Sequence, residues 1–177
     1  MDLIEHLRSR DLKVERYSVH LSEADGIATF MLYNFSGKLV GYQTYNPNGP
    51  KIRNNHDPRL QRYFTYFTSE GYKKAIGFFG LDTYDPGKKY LFLTEGIFDA
   101  VKLHNLGLNA FALLSNDPKR HRSWLRILPH RRVAVCDGDA AGLKLAKMGH
   151  EHVVMPEGKD LGDMNEPEIK TLLRRYI

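Results

Sequence analysis

The chain has 177 residues, 42% of them hydrophobic and 27% charged, with a formal net charge of +5 and an isoelectric point near 9.2. That composition is ordinary for a soluble globular protein with enough length to bury a core. A single cysteine, Cys136, excludes an internal disulfide or a cysteine zinc site. No apolar run approaches the roughly 18 residues of a membrane helix. The N-terminus mixes Asp2, Glu5, Arg8 and Arg10 with isolated apolar residues and does not read as a signal-peptide core. A cytoplasmic protein is expected. The basic excess is spread over both halves, so a nucleic-acid surface has to come from local clusters.

Residues 1–11 place Leu3, Ile4 and Leu7 at helical spacing. From Ile27 to Tyr45, apolar and aromatic residues alternate around Asn34-Phe35-Ser36-Gly37-Lys38, the pattern of a β-hairpin. Asn46-Pro47-Asn48-Gly49-Pro50 is a loop, and Arg62 to Phe67 a further strand. Asp85-Pro86-Gly87-Lys88-Lys89 marks a boundary, giving an α+β N-terminal subdomain over 1–87 and a second domain over 88–177. Beyond it, strands at 90–94, 109–114, 132–136 and 151–155 alternate with helices near 97–106, 118–128, 140–148 and from 167. Alternation of that kind predicts an α/β domain with a parallel, right-handed βαβ sheet flanked by helices.

Two acidic signatures close apolar strands: Glu95-Gly96 and Asp137-Gly138-Asp139. The carboxyl edge of an open parallel sheet is where ligands bind. One acid there could be a helix cap, but two aspartates flanking a glycine exceed what a helix needs. Three carboxylates together repel one another unless a divalent cation lies between them. A third acidic loop, Glu157-Gly158-Lys159-Asp160-Leu161-Gly162-Asp163, follows the fourth strand, and Asp160 and Asp163 could complete the site or hold a second ion. Lys119, Arg122 and Arg126 share a face of the helix expected at 118–128, as a solvated surface or a nucleic-acid track.

Taken together, these loops resemble the TOPRIM domain of primases, topoisomerases and some nucleases, over about residues 88–165. The primase branch adds Glu-Gly-x-x-Asp, matched by Glu95 to Asp99, and Lys-Asp-x-x-acid, matched by Lys159 to Asp163. Gly37 to Tyr42, Pro50 to Asn54 and Phe79-Gly80-Leu81 are similar to segments of bacterial and phage-type primase cores. The resemblance implies Glu95 as general acid/base, with Asp137 and Asp139 as catalytic metal ligands joined by Glu95, Asp160 and Asp163. It implies Mg²⁺, with Mn²⁺ as a substitute, and Lys51 and Arg53 near the nucleotide.

The function implied is primer synthesis from nucleoside triphosphates on single-stranded DNA, in a bacterial or phage-infected cytoplasm. A separate helicase or template-recognition protein would be the partner, since neither a Walker A sequence nor a cysteine zinc module is present. One departure stands out: bacterial primases usually carry Gly-Thr after the second strand, where this chain has Leu114-Ser115-Asn116. That keeps two alternatives open, a small metal-dependent TOPRIM nuclease and a non-catalytic nucleic-acid-binding adaptor.

Overall fold

The structure is a computed structural model that describes residues 2–51, 57–115, 118–156 and 158–177. The chain divides into two compact units, Met1–Asp82 and Thr83–Ile177.

In the first unit, helix α1 (Leu3–Ser9) starts at Asp2, whose carboxylate accepts the Ile4 N–H. Strands β1 (Val19–Ser22), β2 (Ile27–Tyr33), β3 (Leu39–Tyr45) and β4 (Tyr63–Phe67) form an antiparallel meander in that order. The hairpin read from the alternation is β2–β3, closed by Asn34, whose side chain accepts the N–H groups of Ser36 and Lys38. Ala28, Phe30 and Leu32 point inward from β2 and are fully buried. Phe30 meets Phe79 edge to face with ring centroids 5.7 Å apart, and Phe78 stacks on Phe35. The Phe79-Gly80-Leu81 segment therefore serves this core. On the opposite face, Tyr42 lies across from Tyr66 with ring centroids 5.4 Å apart. Two short strands, β5 (Ser69–Glu70) and β6 (Lys73–Lys74), pair beyond β4.

The second unit is built on β7 (Tyr90–Thr94), α2 (Ile97–Asn105), β8 (Ala110–Ala112), α3 (Arg122–Arg126), β9 (Arg131–Cys136), α4 (Ala140–Ala146), β10 (Glu151–Val154) and α5 (Glu166–Leu172). All four strands are parallel, in the order β10-β9-β7-β8. Leu91, Leu93, Val133 and Ala134 are fully buried, which is why β7 and β9 read as unbroken apolar runs. Two expectations shift here. The strand expected over 109–114 contracts to β8, and the helix expected over 118–128 splits into a 3₁₀ turn, Pro118–His121, followed by α3. Among the described residues no helix is long and apolar enough to cross a membrane.

Candidate active site

The strand order creates the site. From β7 the chain crosses to β8 on one side, then returns past β7 to β9 on the other. The crevice between β7 and β9 is thus the topological switch point of the sheet, the place where open α/β sheets bind ligands. Glu95 leaves the end of β7 and Asp137 the end of β9. Leu91 pairs with Arg132, and carrying that register forward sets Glu95 opposite Cys136, one residue from Asp137. The loop after β10, adjacent to β9, supplies Asp160.

Each of these groups feels the charge of its neighbours. Glu95 is half-buried, and its Oε1 is buried without a hydrogen-bond partner. Burial, then the charges of Asp137 and Asp139, raise its pKa. Asp137 is raised by burial and by Asp160 and Asp139. Cys136 is buried, and burial plus the charges of Glu95 and Asp137 push its thiol up to about 12.

Asp139 turns back into its own helix, its Oδ1 accepting the Gly142 N–H at 2.8 Å. Asp160 accepts the Asp163 N–H at 2.8 Å, so Asp163, itself exposed, shapes the third loop through its backbone. Among the described residues no three His, Cys, Asp or Glu side chains converge closely enough to hold one metal ion as they stand. The donor set nonetheless fits a hard divalent cation. It is all oxygen, it repels itself, and it leaves Glu95 Oε1 unsatisfied. Mg²⁺ also commonly retains several waters, needing few protein ligands.

Asp99 is a structural member of the site. The Gly96 N–H donates to its Oδ2 at 3.1 Å, and the Gly162 N–H donates to the same carboxylate, tying the start of α2 to the third loop. Lys102 strengthens that tie by donating to the Met164 carbonyl at 3.0 Å. Burial, then Asp160 and Asp137, push Asp99 up from 3.8 to about 7. Folding therefore takes up a proton between those two pH values, and stability falls as pH rises through that window. In metal-free protein, Asp99→Asn should flatten the fall in melting temperature between about pH 4 and pH 7. Parallel wild-type and variant profiles would contradict this.

The remaining candidates separate. Lys51 is exposed in the first unit, and Arg53 lies outside the described residues. Arg122 and Arg126 lie on α3 and line a cavity, while Lys119 sits in the preceding 3₁₀ turn and is not part of its wall. Asn116 falls outside the described residues, but Leu114 adopts a left-handed backbone, φ 52°, and its N–H donates to the Glu95 carbonyl. That conformation suits glycine.

The comparisons with known proteins agree with the architecture. No family model matches the sequence. A DNA primase from Myxococcus xanthus is 34% identical over 115 residues, which is 62% of this chain and 16% of the length of that primase. The DnaG catalytic core superposes with a TM-score of 0.70 at 15% identity, over 98% of this chain and 72% of that one. This chain has the fold of a primase catalytic core. The DnaG primase catalytic domain bound to ssDNA gives 0.67 at 14% identity, over 98% and 73% of the two chains. The primase fragment of the bacteriophage T7 primase-helicase protein gives 0.64 at 14%, over 96% and 72%. The primase fold accounts for the strand order, and at these identities it speaks for the fold alone.

Proposed function

We propose that the chain is the TOPRIM-containing catalytic core of a primase, joining ribonucleotides on single-stranded DNA by metal-dependent nucleotidyl transfer. The observation that carries this reading is the unsatisfied Glu95 carboxylate beside Asp137-Gly138-Asp139 at the switch point of the sheet. The primase relative and the ssDNA-bound neighbour support priming over other chemistry at the same edge.

Asp137 and Asp139 would hold Mg²⁺ or Mn²⁺, with Glu95 and the Asp160–Asp163 loop beside them. The ion, when bound, would coordinate phosphate oxygens, offsetting their charge and making the phosphorus more electrophilic. Glu95 accepts the proton released as the 3′-hydroxyl oxygen bonds to the α-phosphorus and pyrophosphate departs. Asp99, held by the Gly96 and Gly162 amides, fixes the first and third loops relative to one another. Lys51, Arg53 and Lys119 supply cationic contacts to nucleotide or template in this reading, and Arg122 and Arg126 contact the nucleic acid.

The test is incubation of the 177-residue chain with a single-stranded DNA template, labelled ribonucleotides and Mg²⁺ or Mn²⁺. New labelled oligoribonucleotides support the reading. Shortened template instead would transfer the site to a nuclease, and template binding without either product would make it an adaptor.

A further inference from the structure

At the other end of β9 from the carboxylates, a cavity of about 290 Å³ is lined by Arg122, Leu125, Arg126, Arg132, Lys147 and Met148, closed by Gly149. Four of these side chains are cations, and among the described residues no carboxylate enters the wall. Arg132 is held in place by hydrogen bonds. It donates to the Leu125 carbonyl at 2.9 Å and the Met148 carbonyl at 3.2 Å, and its Nη2 lies 3.1 Å from His150 Nε2. These bonds join α3, the start of β9 and the turn after α4 without neutralising the guanidinium. Burial and the charge of Arg126 lower its pKa, as expected for crowded cations that share no anion. Glu151, the acid of the adjoining strand, is already engaged by Arg131 and Arg175. Arg122 and Arg126 stand one turn apart on α3 and face the same space.

We propose that this cavity is a phosphate-binding pocket, taking one phosphate group from the backbone of a bound nucleic-acid strand. The choice of a strand rests on the function proposed above; the choice of phosphate rests on the pocket alone. A fixed guanidinium with three further cations lining the same cavity matches a phosphate anion. Among the described residues no aromatic side chain lines the wall to stack on a base. Arg132 to Asp137 spans five residues of parallel strand, about 16 Å. The pocket is therefore a contact separate from the reacting phosphates.

Binding without nucleotides or turnover tests it. Fluorescence anisotropy of a labelled single-stranded DNA is followed over a salt series for wild type, the double variant Arg126→Gln/Lys147→Gln, and Lys144→Gln. Lys144 is exposed on α4 outside the pocket, so it reports the effect of charge alone. Arg132 is left intact because its bonds hold three elements together. The double variant should bind about tenfold more weakly at low salt, with a log K against log salt slope shallower by about 0.7. The control should keep the wild-type slope.

In parallel, pyrophosphate is tested for its effect on melting temperature. If pyrophosphate stabilises wild type but not the double variant, while DNA binding is unchanged, the pocket belongs to a free anion and the strand assignment is overturned. Equal slopes in all three proteins, with no pyrophosphate effect, overturn the pocket itself. Loss of priming alone, with the pocket-dependent slope intact, counts against the proposed catalytic function and not against the pocket.

Discussion

Glu95→Gln is expected to lower ribonucleotide incorporation by about 10²–10⁴-fold, the range for loss of a general base, while leaving the protein more stable without metal. The two effects have one origin. The carboxylate is half-buried, its Oε1 lacks a hydrogen-bond partner, and the negative charges of Asp137 and Asp139 repel its own. An amide of the same shape removes a charge from that cluster and brings N–H donors to its neighbours, a gain of about 1 kcal/mol. Mg²⁺ should raise the melting temperature of wild type and do so less for the variant, since one proposed partner of the ion has gone. Thermal melts with and without Mg²⁺, run beside the incorporation assay, check all three outcomes. A variant that retains full incorporation removes Glu95 from the chemistry.

Gly142→Ala should be damaging for a backbone reason. Alanine is the better helix former by about 1 kcal/mol, so on propensity alone the change in the first turn of α4 would stabilise. A Cβ at this position, however, would lie 2.0 Å from the Asp137 carbonyl oxygen and 3.0 Å from its nitrogen. Those are backbone atoms and cannot rotate aside. Either α4 or the Asp137-Gly138-Asp139 loop has to shift, at a net cost of about 2–3 kcal/mol. A displacement of about 1 Å in a catalytic loop can cost about 10²-fold in rate. Gly138→Ala is the contrasting variant: its Cβ would meet nothing within 4 Å, so its melting temperature should stay near that of wild type. Equal stability of the two variants would show that the close approach at Gly142 is relaxed in solution.

The parts of the fold legible in the sequence are those governed by local burial. Strands β7 and β9 are buried on both faces, so their apolar runs and boundaries could be read directly. The acids closing them followed from the same reading. Sheet order could not be read, because pairing β9 with β7 on the side away from β8 is a tertiary choice. Yet that order is what brings Glu95 and Asp137 together. Strand β1 went unread because Val19-His20-Leu21-Ser22 is short and mixes polar with apolar residues.

The basic helix face was read as continuous from Lys119 to Arg126, but the 3₁₀ turn at Pro118–His121 interrupts it. The cations that actually gather around Arg126 come from β9 and the turn after α4, separated by many residues in sequence. Leu114 shows the opposite case. Its departure from the glycine usual in primases was visible as a letter, but the left-handed backbone that makes the letter matter appears only in three dimensions.

The Cys136 thiol carries a practical consequence. Burial and the charges of Glu95 and Asp137 hold its thiol well above the ordinary range, and the sulfur is buried as well. Maleimides and similar reagents should therefore pass over it in the folded chain. Because it is the single cysteine of the sequence, a cysteine placed on an exposed position such as Lys144 or Lys159 would take a dye or spin label alone. Movement of the third loop could then be followed from a label at position 159 in a chain that keeps Glu95, Asp137, Asp139, Asp160 and Asp163.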